Sequence, residues 1–292
     1  MACIFPSFQR DPVTFMKDKR TSQLSPAFTR PELLAVIAAL ALLLPLITAA
    51  SRPSSAKTAV CLANLRALTH GMALYAEDNR GWFPGNTGVS AKEWVAGIVA
   101  LGSSDFTNTA ILRDPAKSKL TPYLRGIPTV YHCPADRLTQ RSTGQYATQA
   151  RSYSLNAAVG TNSQKPGNVA VDGLWLNGSA SHSIGQTWLT YGRYADMIAP
   201  TPAQLFTFID EHPYGINDDN FAVSAQTPQW IDWPAVHHDS GDTFAFADGH
   251  TEYHRWHDQR TLVTAYVVLN TPANGNQDLV WIQQRTSARI PK

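Results

Sequence analysis

The sequence predicts an α+β protein in which a long N-terminal helix packs on an antiparallel β-sheet with long loops. Three observations lead to this fold class. Residues 33–50 carry no charge, residues 61–75 hold an apolar stripe at helical spacing, and short strand-like runs follow residue 200. Gly, Pro, Ser, Thr and Asn recur between these runs, as they do in turn-rich loops.

Residues 1–27 form a basic leader. Four basic and two acidic residues in this stretch account for the net charge of +2, and the rest of the chain is balanced. Because no basic stripe follows, nucleic acid is not an expected partner. Hydrophobic residues make up 43 % of the chain and charged residues 16 %, which is enough apolar material for a sizeable core.

Residues 28–50 are predicted to be a transmembrane helix. The 18 uncharged residues at 33–50 would extend roughly 27 Å at about 1.5 Å per residue, close to the thickness of a bilayer core. The basic leader would then stay in the cytoplasm, which predicts a single-pass membrane protein with an exported, periplasmic or extracellular C-terminal domain. A cleaved signal peptide ending in "TAAS" (48–51) is the alternative.

Residues 51–81 are predicted to continue this helix as an amphipathic segment. Its apolar positions recur at spacings of three and four: Cys61, Leu65, Leu68, Met72 and Tyr75. Gly81 is the expected C-cap.

Residues 82–292 are predicted to form the globular domain. A short helix is expected over 91–102, and strands over 205–210, 243–248, 251–256 and 278–285.

Cys61 and Cys133 are predicted to form a disulfide. Both lie beyond the apolar run, so export would place them in an oxidising compartment. Neither has a Cys-x-x-Cys neighbour, which disfavours a zinc site.

Histidines and aspartates crowd residues 237–257 and allow two interpretations. Asp248-Gly249, between two alternating runs, predicts a β-hairpin with a type I′ turn. A divalent metal site is the alternative, with His238, Asp248 and His250 as ligand candidates. The carboxylates of 209–220 would suit a calcium ion, so calcium is the one cofactor that the sequence suggests. No Gly-x-Ser-x-Gly, P-loop or His-Glu-x-x-His motif occurs, and an enzyme is not expected.

The stretch "AFTRPELLAVIAAL" resembles the prepilin-type cleavage and methylation motif of type IV pilins and type II secretion pseudopilins. The resemblance implies cleavage between Ala27 and Phe28, methylation of the new N-terminus at Phe28, and a role for Glu32 in assembly. Two departures are Ala27 in place of the usual Gly, and Arg30-Pro31 in place of the more apolar pair usual there. A carboxylate at the edge of an apolar helix is costly unless it is paired. It could pair with the Phe28 amine, or close a capping box that starts at Thr29.

Four further segments resemble, in order, the planctomycete-type group of pilin-like proteins that carry a His-x9-Asp-Gly signature. They are "CLANLRALTHGMALYAEDNRGWFP", "YHCPADR", "RSYSLN" and "HHDSGDTFAFADGHTEYHRW", with the signature at His238, Asp248 and Gly249. The resemblance implies a pilin-like or pseudopilin-like subunit of a type IV pilus or type II secretion-like system. Its partners would be a prepilin peptidase, other subunits and inner-membrane lipid. An anchored, exported binding module for a glycan or other ligand is the main alternative, followed by an exported metal-dependent hydrolase.

Overall fold

The computed structural model describes residues 29–35, 37, 56–88, 92–142, 144–181 and 187–291. The chain divides into two compact units, Met1–Arg52 and Pro53–Lys292. In the first unit, residues 30–35 are helical. The helix starts at Thr29, whose backbone N–H and Oγ1 each donate to the Glu32 carboxylate at 2.8 Å. This is one half of a capping box, and it holds the pKa of Glu32 below its ordinary value.

Helix α1 runs from Ala56 to Asp78 and is the longest described element of the second unit. Four residues of the predicted stripe are buried: Cys61, Leu65, Leu68 and Met72. The fifth, Tyr75, is half-buried, and Ala76 is buried beside it. Arg80 and Gly81 both adopt positive φ after the last turn. The Gly81 N–H then donates back to the Ala76 carbonyl at 2.7 Å, which ends the helix in the manner of a Schellman motif.

A five-stranded sheet lies at the centre of this unit, in the order β5-β3-β4-β7-β8. Its strands are β3 (Tyr153–Asn156), β4 (Phe206–Asp210), β5 (Asn220–Phe221), β7 (Gly241–Phe246) and β8 (Thr251–Arg255). All neighbours are antiparallel except β3 and β5, which are parallel. The pairing of β4 with β7 shifts register between Phe206 and Phe208, so the pleat of β4 changes face there.

Both faces of the sheet are buried, each against a different core. Along β7, Ala245 belongs to the core that contains the apolar face of α1, while Phe244 and Phe246 belong to the second core. The second core also holds helix α2 (Gln277–Thr286) and several tryptophans: Trp230, Trp233 and Trp256. The sheet is therefore a middle layer, with α1 on one side and α2 on the other.

Two small two-stranded sheets complete the described strands. One pairs β1 (Thr139–Ser142) with β2 (Gln145–Thr148), and the other pairs β6 (Gln229–Trp230) with β9 (Thr271–Pro272). Three short 3₁₀ helices lie in the loops: Ile111–Arg113, Pro128–Tyr131 and Tyr194–Asp196.

Two predicted elements of the globular domain are wrong. The expected strand at 278–285 is helix α2, because the Asn276 side chain caps its start by accepting from the Leu279 N–H at 3.0 Å. The expected helix at 91–102 is a series of bends and turns in its described part, 92–102. Positive φ at Gly97 and Gly102 interrupts any helical path there.

The structure also corrects the predicted pilin-like fold class, in which one helix first crosses a membrane and then packs on the sheet. Within the residues that the structure describes, no helix combines the length and the apolar character needed to span a bilayer. Helix α1 is long enough, but Arg66, Glu77 and Asp78 are among its exposed residues. This finding contradicts the predicted transmembrane helix and the predicted single-pass inner-membrane location. Residues 36 and 38–50 of the predicted span lie outside the described part of the chain.

Candidate functional site

His238, the first residue of the signature, is buried beneath the start of helix α1. Asp239 and Ser240 both adopt positive φ, and this sharp turn separates the histidine from strand β7. The imidazole Nδ1 lies 3.1 Å from Thr58 Oγ1 in the first turn of α1. Its Nε2 lies 3.1 Å from Cys133 Sγ. The ring thus links the helix to the loop that carries Cys133.

The predicted cysteine pair lies directly beside this ring. Cys61 and Cys133 are joined by a disulfide, with their Cα atoms 5.3 Å apart, inside the usual range for a disulfide. The bond connects the second turn of α1 to the loop after the 3₁₀ helix Pro128–Tyr131, and neither cysteine is exposed. The Cys133 backbone N–H donates to Ser152 Oγ at 2.8 Å, which fixes that loop to the residue preceding β3.

Asp210 brings a carboxylate to the same place from the end of strand β4. Its Oδ2 lies 2.8 Å from His237 Nε2 and 3.4 Å from His238 Nε2. Burial alone would raise the pKa of Asp210, but the charge and hydrogen bond of His237, together with His238, hold it well below its usual range. Burial likewise opposes protonation of His237, and the Asp210 carboxylate overcomes this and raises the pKa of the imidazole. Each group therefore stabilises the charged form of the other.

Four side chains converge here. The ligand atoms of Cys61, Cys133, Asp210 and His238 all lie within 4.8 Å of one another, and all four residues are buried. The sequence singled out the cysteines and His238. It placed Asp210 among the carboxylates of 209–220 and His237 in the histidine- and aspartate-rich stretch 237–257, but it linked neither residue to the cysteines, and it missed Thr58. The sequence signal for Asp210 was its position at the end of an apolar strand, directly before Glu211.

Asp248 and Gly249, the other end of the signature, form the turn of the β7–β8 hairpin, as predicted. The Gly249 N–H donates to the Phe246 carbonyl, and the Phe246 N–H donates to the His250 carbonyl, both at 2.9 Å. Gly249 has a φ of +91°, while Asp248 does not share the positive φ. The connection is therefore a type I turn followed by a left-handed glycine, and the predicted type I′ turn is wrong.

The three predicted metal-ligand candidates do not meet. The six residues of β7 separate His238 from the hairpin turn, a distance of about 20 Å along the strand. Asp248 Oδ1 instead accepts from the His250 N–H at 3.1 Å and contacts its Nδ1 at 2.5 Å, and both side chains are partly exposed. Among the described carboxylates of 209–220, only Asp210 belongs to a convergent group of ligands.

The two ends of the signature lie at different points along helix α1. His238 contacts Thr58 near its start, whereas Asp248 and Gly249 border a cleft of about 670 Å³ beside Ala67 and Ala73. Between them, Thr69 Oγ1 lies 3.1 Å from Thr207 Oγ1, which donates to the Ala245 carbonyl of β7 at 3.1 Å. The signature spacing thus matches the stretch of β7 on which α1 lies.

A second buried polar group lies next to Asp210. The Glu211 carboxylate accepts from Ser154 Oγ at 2.5 Å, and burial, with the charge of Asp232, raises its pKa well above the ordinary value. Burial raises the pKa of Asp232 to about 8. Among the described residues the one buried arginine or lysine is Arg151. Its charge acts to lower the pKa of Glu211, and burial lowers the pKa of Arg151 itself.

The remaining predicted site residues belong to the N-terminal motif. Ala27 and Phe28 lie outside the described residues. Glu32 is described, and its carboxylate accepts the two Thr29 hydrogen bonds, as the capping interpretation requires.

The chain matches no family model, no curated protein and no solved structure. The resemblance to pilin-like proteins therefore remains a prediction from the motifs.

Proposed function

We propose that this protein is a pilin-like or pseudopilin-like subunit that a prepilin peptidase processes between Ala27 and Phe28. The mature subunit would assemble with other pilin-like subunits through its N-terminal segment. The ordered combination of a basic leader, Phe28, Glu32 and the signature at His238 supports this proposal.

The structural observation that carries the proposal is the covalent fixation of helix α1 at its start. Cys61 lies in the second turn of α1, so its bond to Cys133 joins the helix to the globular part near the start of the helix. A subunit that is held through its N-terminal residues transmits load into its globular part through this helix. The Cys61–Cys133 cross-link near the start of α1 would keep the helix packed on the sheet under such a load.

Processing is the first test. The full chain is expressed with an active prepilin peptidase, and the N-terminus of the product is read by mass spectrometry. A start at methylated Phe28 is expected. Ala27→Gly, which restores the residue usual in the family, should be processed faster, and Ala27→Leu should be blocked by its bulk. An intact leader, or a start at Ser51, would overturn the proposal.

The role of Glu32 is the second test, and two variants separate charge from capping. Glu32→Gln keeps an oxygen that accepts the Thr29 hydrogen bonds but has no charge, and Glu32→Ala loses both. If Glu32 pairs with the Phe28 amine between subunits, both variants should lose the oligomers seen by cross-linking. Loss in the alanine variant alone would show that Glu32 serves only as a cap.

One observation favours the alternative of a binding module, namely the cleft of about 670 Å³ beside α1. Four of its ten lining residues are alanines, and Arg66, His70 and Asp248 also line it. Oligosaccharides that raise the melting temperature of the full chain, an effect abolished by Ala67→Trp, would favour this alternative. The tryptophans give it less support, because all eight are described and five of them are buried.

A further inference from the structure

The buried cluster of Cys61, Cys133, Asp210 and His238 has the composition of a tetrahedral metal site. Two sulfurs, one imidazole nitrogen and one carboxylate oxygen are donors that zinc accepts in structural sites. In such a site, bonds of about 2.0–2.3 Å place neighbouring donors about 3.3–3.8 Å apart. The four donors here already lie within 4.8 Å of one another, so the two sulfurs must separate and the other donors must move by no more than about 1.5 Å to reach these distances.

The surroundings of the cluster provide the outer hydrogen bonds that metal ligands usually have. His238 Nδ1 contacts Thr58 Oγ1 at 3.1 Å, which leaves Nε2 directed at the sulfurs. Asp210 Oδ2 is held by His237 Nε2 at 2.8 Å. Both non-sulfur donors are therefore oriented by residues outside the cluster.

Asp210 supplies a second, independent observation. The Asp210 side chain is completely inaccessible to solvent, and its Oδ1 has no hydrogen-bond partner among the described residues. A buried carboxylate oxygen without a partner is costly, and a bound cation would remove this cost. With two thiolates, one carboxylate and a neutral imidazole around a divalent ion, the net charge of the site would be one negative unit.

We infer that this cluster is a zinc site in the reduced protein, and that the disulfide and the metal ion are alternative states of the same two cysteines. A dithiol reductant transfers two electrons and two protons to the Cys61–Cys133 bond, which yields two thiols and the oxidised reductant. Zinc then displaces the two thiol protons to solvent and binds both sulfurs, His238 Nε2 and Asp210. A disulfide oxidant would take two electrons from the two thiolates and two protons from solvent, leaving as a dithiol, while the Cys61–Cys133 bond reforms and the zinc ion is released. This inference does not depend on the proposed function.

The experiment uses the full chain, once oxidised and once reduced by an excess of dithiol that is removed under nitrogen. Zinc is added to each sample, the unbound metal is removed, and the zinc retained per chain is measured. About one ion per reduced chain and none per oxidised chain is expected. Cobalt in place of zinc should show tetrahedral d–d bands and a thiolate charge-transfer band. Retention below about 0.1 ion per reduced chain, or cobalt bands without the thiolate band, would overturn the inference.

Matched variants distinguish this site from adventitious thiol binding. Thr58 and Thr69 are both buried threonines on α1, but only Thr58 contacts the cluster. Thr58→Val should weaken zinc binding by about 10–100-fold, the usual effect of removing an outer-shell partner, and Thr69→Val should not. Asp210→Asn should weaken it at least as strongly as Thr58→Val. Equal affinity in all these variants would show binding by the cysteines alone and refute the site.

Reduction can also unfold the chain, and near-UV circular dichroism monitors this. If the reduced chain loses its tertiary signal, zinc should restore it, since the folded form alone assembles the four ligands. A reduced chain that stays unfolded with zinc present would refute the inference.

Discussion

Replacing Cys61 and Cys133 by alanine should lower the free energy of unfolding by about 4 kcal/mol. The bond closes a loop with a sequence separation of 72, and the chain-entropy model gives that value for a loop of this length. For a unit of this size, about 2–4 °C per kcal/mol converts the loss to a fall of about 8–16 °C in melting temperature. Both positions are buried, and alanine introduces no polar group there.

The assay is thermal and urea unfolding of the oxidised full chain, followed by circular dichroism. Each single variant removes the same cross-link, so Cys61→Ala, Cys133→Ala and the double variant should agree within about 1 kcal/mol. Cys3→Ala is the control and should leave the melting temperature unchanged. Additive single effects, or a double-variant loss below about 1 kcal/mol, would refute the argument, because the cost would then come from packing rather than from the cross-link.

Three further predictions concern other parts of the second unit. The pKa of Asp232 is raised to about 8 by burial, so the folded state holds a proton that the unfolded state releases near pH 4, and stability should fall as pH rises between these values. In the wild-type chain the free energy of unfolding, measured by urea titration, should fall by up to about 1.4 kcal/mol per pH unit in this range, and Asp232→Asn should remove this dependence. Equal slopes in both proteins would contradict the prediction. Gly249→Ala should cost about 1 kcal/mol, since φ is +91° and no atom lies within 4 Å of the added Cβ; a neutral result in urea unfolding would show that the turn relaxes. Phe244→Ala should cost about 3–5 kcal/mol, whereas the exposed Tyr146→Ala should be near neutral, and similar losses in both would argue against the second core.

Much of the secondary structure and one covalent contact could be predicted from residue patterns. The helical spacing of Leu65, Leu68 and Met72 predicts the buried face of α1, because side chains three and four apart share a face in any helix. The β7–β8 hairpin follows from Asp248-Gly249 between alternating runs for a similarly local reason. The strand-like pattern at 278–285 was misleading, because a run of eight residues fits either period and the Asn276 cap decided the outcome.

The candidate site was only partly predictable, because its residues come from four separate segments. Motif spacing suggested that His238 and Asp248 belong together, but an extended strand between them keeps them about 20 Å apart. His238 instead meets Asp210, from the neighbouring strand β4, and Cys133, from a loop. The spacing of residues along the chain cannot predict contacts of this kind between distant segments.

The sequence by itself determined the elements whose cause is local. These are the amphipathic helix α1, the hairpin turn at Gly249 and the choice of Cys61 and Cys133 as partners, and each follows from nearest-neighbour geometry or from a count of cysteines. Only the tertiary structure decided that both sheet faces are buried and that Asp210 approaches the disulfide. It also showed that none of the described helices is both long and apolar enough to cross a membrane. The physical reason is that burial, buried charge pairs and ligand convergence depend on which distant segments pack together, and strand order sets that packing.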